Sequence, residues 1–272
     1  MTRRPGEHGV ALVNVLMVMA VSAALVQAML STQETAIDRT IAARDRAQAF
    51  ALAKGGVASL RSALRRDAQE TPASDHLQEP WAQIAQEPVT FDFGTYSVRV
   101  SDAQGRFDLN GLQPGAIAHQ RVFSALLEVL ELPPDLGRQI TEIVKAKGPL
   151  TSAASLRKFG IAPRLVEALD PYVTALPAGA SINLNTAPEP VLAAVFANAV
   201  VARSLSARRM KQGFLTRDDL ASLGLVQPAL AGWRSDVFDV QVSAVVGQTS
   251  VGYDRRLLRD PKTGLITDLP RP

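Results

Sequence analysis

Residues 10–30, VALVNVLMVMAVSAALVQAML, are an uncharged apolar run of 21 residues. As a helix it is about 31 Å long at ~1.5 Å per residue, close to the thickness of a bilayer's hydrocarbon core. Its polar members, Asn14, Ser22 and Gln27, are tolerable in a spanning helix. A short leader precedes it, carrying Arg3 and Arg4 and ending in Glu7-His8-Gly9. Three readings follow: a cleaved secretory signal, a plain membrane anchor, or a leader cut after Gly9 that leaves the apolar helix on the mature chain. The alanines at 20, 23, 24 and 28 lead into helix-forming sequence without Pro or Gly, which favours retention. The leader arginines keep the N-terminus inside and place the bulk of the chain outside the cytoplasm.

The helix is expected to continue to Arg66, since residues 31–66 hold no proline. Phe50, Ala53, Val57, Leu60 and Leu64 recur three and four residues apart and share one face. Gly55-Gly56 lowers helix propensity by ~1 kcal/mol each and predicts a bend. Residues 67–88 read as a linker anchored by Trp81. Val89, Phe91 and Phe93 then alternate with polar neighbours, Gly94-Thr95 reads as a turn, and Tyr96, Val98 and Val100 alternate again. A second strand region spans Val237 to Tyr253 with a break at Gly247. The tail from Pro261 reads as irregular.

Residues 106–233 form a helical block lying between these strands. It carries an internal repeat. Phe107-Asp108-Leu109-Asn110 is echoed by Ile182-Asn183-Leu184-Asn185, and Gly148-Pro149-Leu150-Thr151 by Gly213-Phe214-Leu215-Thr216. Asn183, Asn185 and Thr186 read as a structural turn motif, with Asn185-Thr186 capping the helix after Pro188. Asp102, Asp108, Asp236 and Asp239 are candidates to meet at the root of the block, or are plain turn residues.

Composition limits the function classes. Of 272 residues, 47% are hydrophobic and none is Cys, so disulfides and thiolate metal sites are excluded. Without residues 1–9 the balance is 27 basic against 25 acidic residues, which demands no nucleic-acid partner. His8, His76 and His119 are scattered, with no metal spacing, and no catalytic motif is present. The chain reads as non-enzymatic, with no metal. One competitor remains: the repeat, with Arg203, Arg208, Arg209 and Lys211, resembles helix-hairpin-helix modules that bind DNA. Their hairpin grips phosphate through backbone amides, typically in Gly-hydrophobic-Gly. Here the hairpins read Leu132-Pro133-Pro134-Asp135-Leu136-Gly137 and Phe196-Ala197-Asn198-Ala199-Val200-Val201, so the grip is lost and Arg208 and Arg209 read as surface charges. An anchored scaffold with no fibre role is the third class.

The leader and apolar helix, Ser101-Asp-Ala-Gln-Gly-Arg-Phe-Asp-Leu-Asn110, and Leu176-Pro-Ala-Gly-Ala-Ser-Ile-Asn-Leu-Asn-Thr-Ala187 together resemble the K-type minor pseudopilin of the type II secretion system. The resemblance implies an α+β fold: a long N-terminal helix on a small antiparallel sheet, with a large all-α insertion of two helix-hairpin-helix-like repeats. The divisions are 1–9 leader, 10–66 helix (10–30 transmembrane), 67–105 linker and strands, 106–233 insertion, and 234–272 strands and tail. It further implies cleavage between Gly9 and Val10 by a prepilin peptidase, and N-methylation of Val10. The mature chain would sit in the inner membrane with its bulk in the periplasm. Its implied partners are the I- and J-type minor pseudopilins and the major pseudopilin, at the tip of a pseudopilus that supports protein export. The fifth mature position is Asn14, where most pilins carry Glu to offset a neighbour's N-terminal amine; a tip subunit lacks that need. Phe50, Ala53, Val57, Leu60 and Leu64 are expected to pack on partner helices. Calcium occurs in relatives, but Lys145-Ala146-Lys147-Gly148-Pro149 replaces the acidic stretch, so no cofactor is expected.

Overall fold

The computed structural model describes residues 7–84, 88–176 and 180–269, with side chains from residue 11 onward. Residues 10–70 fall within one helix, α1 (Glu7–Glu70). Every residue from 11 to 44 is exposed, so this half of α1 projects away from the rest of the chain. The helix runs a turn beyond Arg66, because Asp67-Ala-Gln-Glu70 contains no breaker and the first proline is Pro72. Thr71 Oγ1 closes the last turn, donating to the Asp67 carbonyl and carboxylate. No break in α1 occurs at Gly55-Gly56. Gly56 instead lies against the sheet, where a Cβ would come within 2.8 Å of Tyr96 and Val98.

The elements that follow are α2 (Pro80–Gln83), β1 (Val89–Phe91) and β2 (Gly94–Asp102). The intervening block contains β3 (Phe107–Asp108), α3 (Ile117–Val129), α4 (Asp135–Lys147), α5 (Pro163–Leu169), β4 (Val173–Thr174) and β5 (Ile182–Asn183). It continues with α6 (Glu189–Phe196), α7 (Ala199–Gln212), α8 (Arg217–Ser222) and β6 (Ala231–Gly232). Then come β7 (Val237–Val246), β8 (Thr249–Arg259) and β9 (Ile266–Leu269).

The main sheet has the order β1-β2-β7-β8-β9, antiparallel throughout. Asp102 pairs with Phe238 across β2 and β7, so the helical block leaves and rejoins the sheet at one rung. The β1–β2 turn falls at Asp92-Phe93, two residues before the expected Gly94-Thr95. Gly94 is needed within β2, where a Cβ would strike the Val245 carbonyl. The tail beyond Pro261 is not irregular as the sequence suggested. Asp260 Oδ1 accepts from the N–H groups of Lys262 and Thr263, turning the chain back to form β9.

Two cores result. In the body, Ala49, Ala53, Val57, Leu60 and Leu64 of α1 pack on Val98, Phe238, Val240, Val242 and Leu257 of the sheet. Trp81, the linker's anchor, lies edge-on to Phe238 at 5.0 Å. Each fully buried large aliphatic here contributes about 1.5–3 kcal/mol. The insertion has its own core, built on Phe107, Phe123, Leu126, Ile140, Leu184, Leu192 and Leu205 among others.

Candidate functional site: the assembly surfaces and the insertion root

Gly9 and Val10 lie in the backbone of α1, but their side chains fall outside the described residues. Asn14 is exposed on the same projecting segment. This is the one described helix long and apolar enough to cross a membrane, with a mean hydropathy of 2.1 over its best window.

The face expected to receive partner helices is already used. Ala53, Leu60 and Leu64 are fully buried and Val57 nearly so, all against the chain's own sheet. Only Phe50 stays exposed, with its ring 5.9 Å from Tyr253 and Lys54 Nζ 4.8 Å above it. An apolar face is satisfied by the first surface that covers it, and the sheet is covalently closest. The surface left open lies on another side of α1. Gln48, Ala51, Leu52 and Gly55 line a groove of about 540 Å³ with Phe91, Phe93 and Tyr96. Phe91 stacks on both Phe93 (5.6 Å) and Tyr96 (6.0 Å), and Phe93 is 56% exposed. Nothing lies within 4 Å of a Cβ built on Gly55.

The motif Asn183-Leu-Asn-Thr186 sits at the root of the insertion. Asn183 Nδ2 lies within 3.0 Å of the Asp75 carbonyl, Asp102 Oδ2 and Ser235 Oγ, while its Oδ1 accepts from the Asn185 N–H. Thr186 Oγ1 and Ser235 Oγ both donate to Asp102 Oδ2. Burial raises the Asp102 pKa; the Ser235, Thr186 and Gln104 donors pull against it. Asn185 does not cap α6, whose N-cap is Pro188 with no side-chain bond. Its amide instead bonds both backbone groups of Leu215. Asn110 does the same to Leu150.

The four aspartates do not converge on one point. Asp102 joins Asn183 and Ser235, and Asp108 accepts from Asn110 and Leu176. Asp239 lies between Arg106 and Arg256. Asp236 lies 3.5 Å from Arg234 and 3.8 Å from Arg259. A cluster not foreseen from sequence gathers nearby. Asp67, Asp75 and Glu79, all buried, hold carboxylate oxygens within 4.8 Å of one another. The Arg259 guanidinium donates to Asp67 (3.1 Å), Asp75 and the Ser235 carbonyl, so the chain's own cation occupies that corner.

The hairpins are unsuited to phosphate. Asn198 Oδ1 accepts from the Val200 and Val201 N–H groups, the amides that an anion at the start of α7 would need. Arg208 and Arg209 are not free surface charges. Arg208 bonds Asp219 and Ser222, and Arg209 donates to the Leu184 carbonyl, because both extend over the insertion's polar seams. His76 stacks on Phe214 at 4.6 Å with its Nε2 3.4 Å from the Glu79 carboxylate, and His119 meets Phe107 edge-on.

The family model for type II secretion system protein K matches residues 182–242, which include the Asn183–Thr186 turn and the first half of β7. Protein K of Pseudomonas aeruginosa is 29% identical over 293 residues, covering 94% of this chain and 88% of the relative. The chain is thus similar to type II secretion system protein K along nearly its whole length. A putative protein K from Escherichia coli strain K12 is 29% identical, covering 78% of each chain. The fold matches a chain in the crystal structure of the GspK-GspI-GspJ complex from enterotoxigenic Escherichia coli. That match has a TM-score of 0.65 at 19% identity, covering 85% of this chain and 97% of the other. The match shows a shared fold, a long N-terminal helix on an antiparallel sheet with a helical insertion.

Proposed function

We propose that this protein K-like chain is a non-enzymatic minor pseudopilin that forms the tip of the pseudopilus, initiates its assembly and supports protein export. The observation that carries the reading is α1: every residue from 11 to 44 is exposed and apolar enough at its start to be held in a membrane. Such a rod needs lipid or neighbouring rods around it. In this reading the leader is cut between Gly9 and Val10 by a prepilin peptidase and Val10 is methylated. The helix stores the subunit in the inner membrane, with the bulk in the periplasm. Asn14, neutral at the fifth mature position, suits a subunit with none above it to neutralise. The insertion's bulk blocks addition beyond the tip. No cofactor is invoked: Lys145–Pro149 brings no carboxylate where a calcium site would need one.

I- and J-type partners are supported by the matched chain's complex. With the Ala53–Leu64 face occupied internally, the groove between Gln48–Gly55 and Phe91–Phe93 is the contact surface we assign to a partner helix.

The test is co-expression with the I- and J-type pseudopilins. Gly55→Trp fills the groove without touching the core and is expected to abolish co-purification while leaving the melting temperature near wild type. Replacing Gly9 with a larger residue is expected to leave unprocessed chain in the membrane and stop secretion. Continued secretion with the leader uncut would overturn the processing step. Salt-sensitive DNA binding by the chain would revive the helix-hairpin-helix reading.

A further inference from the structure

Three buried carboxylates, Asp67, Asp75 and Glu79, gather beside one buried guanidinium, Arg259, and a fourth, Asp102, is joined to them through Ser235. They come from distant parts of the chain. Asp67 lies in the last turn of α1 and Arg259 ends β8. Asp75 is in the linker; its N–H donates to the Trp233 carbonyl and its carboxylate accepts from the Ser235 N–H, both at 2.8 Å. Glu79 precedes α2 and accepts from the His76 N–H (2.9 Å) and Trp81 Nε1 (2.6 Å). Asp102 closes β2 at the insertion root. The cluster thus fastens the end of the helix, the linker, the sheet and both crossings into the insertion.

One guanidinium cannot neutralise three carboxylates out of water, where each unpaired charge is costly. The carboxylate oxygens of Asp67, Asp75 and Glu79 lie within 4.8 Å of one another, so a proton held on one of them relieves the repulsion among all three. We propose that the Arg259 cluster is a proton-operated latch. A solvent proton taken up by Asp67 fastens the linker and insertion root to the end of α1, and its release loosens them.

The other charged groups set the window. Facing Asp67 are Asp75 and Glu79 from the linker and Arg259 from β8; His76 faces Glu79, Arg234 and Asp236 lie before β7, and Asp102 ends β2. Burial, then Glu79 and Asp75, push the Asp67 pKa up to about 7. Burial raises the Glu79 pKa and lowers that of His76. A raised carboxyl pKa means that the folded chain holds its proton longer than the unfolded chain. The stabilisation is complete below the unfolded value and is lost as pH rises toward 7 and through it. This latch stands apart from the assembly reading and holds or fails without it.

The chain's two tryptophans, Trp81 and Trp233, both touch the cluster and report on it. In detergent micelles, the full chain is expected to change tryptophan emission in one step near pH 7. Its melting temperature should fall by about two degrees between pH 6.5 and 8.5. Asp67→Asn, which mimics the protonated acid, is expected to remove both changes and to melt higher than wild type at pH 8.5. A variant that keeps the step, or a wild type without one, overturns the latch. Should Asp67→Asn not fold, hydrogen exchange at the Asp75 and Ser235 amides of the wild type decides. Protection corrected for intrinsic rate should drop about fourfold from pH 6.5 to 8.5, and unchanged protection overturns the proposal.

Discussion

Asn185 holds Leu215 with both ends of its amide: Oδ1 accepts from the Leu215 N–H at 2.6 Å and Nδ2 donates to the Leu215 carbonyl at 3.2 Å. Asn185 is fully buried, so neither Leu215 group has water as a substitute. Asn185→Ala is expected to lose about 2–4 kcal/mol, from two unpaired backbone groups and a lost side chain. Asn185→Asp removes the donor and buries a charge, and is expected to cost at least as much. Chemical denaturation of the full chain measures both.

The adjacent glycines of α1 should respond in opposite directions. A methyl on Gly55 meets nothing within 4 Å, so Gly55→Ala is expected to stabilise by up to ~1 kcal/mol through helix propensity. A methyl on Gly56 would crowd Tyr96 and Val98 at 2.8 Å, and Gly56→Ala is expected to destabilise by about 1–3 kcal/mol. Paired thermal melts read the difference.

Glu131 and Ala197 are the two non-glycine residues with positive φ among those described, at 54° and 48°, one in each hairpin of the insertion. Both are strained where glycine is not. Ala197→Gly is expected to raise stability by about 0.5–1 kcal/mol. It should not create DNA affinity, since Asn198 still holds the amides at the start of α7. Denaturation and a gel shift at low salt check the two halves.

Burial would raise the Asp239 pKa, but Arg256 and Arg106 outweigh it and hold the carboxylate below the usual range. A lowered carboxyl pKa gives stability that is present above the unfolded value and lost as pH falls through the folded one. Asp239→Asn is expected to cost about 3 kcal/mol at pH 7, from weakened charge-assisted bonds. The gap to wild type should close below about pH 4. Stability measured from pH 3 to 7 in both proteins tests the sign.

Much of this architecture is legible in the sequence, because it rests on periodicity. The three-and-four spacing of Ala53, Val57, Leu60 and Leu64 marks a buried face, and the alternation through Tyr96–Val100 marks a strand. Spacing does not say which surface covers that face. A helix dipping into its own sheet and one dipping into a partner carry the same pattern, so the partner assignment failed for those four residues. Gly56 was equally opaque, since the Tyr96 ring it admits is forty residues away. The Arg259–Asp67 pair was invisible because 192 residues separate its members and neither lies in a motif. Arg208 and Arg209 looked solvated because a basic run carries no record of the acceptors folded against it.

Asp102 and Phe238 are sheet neighbours 136 positions apart in the chain. During synthesis, Leu60 and Leu64 therefore emerge long before β7 and β8 exist to cover them. The inserted block, with a separate core, is complete first. The portion that begins the polypeptide is the last to close, and until then a greasy helix stands bare. Secretory machinery or a chaperone that shields residues 49–64 during that interval would act on folding yield alone, and leave the finished molecule untouched.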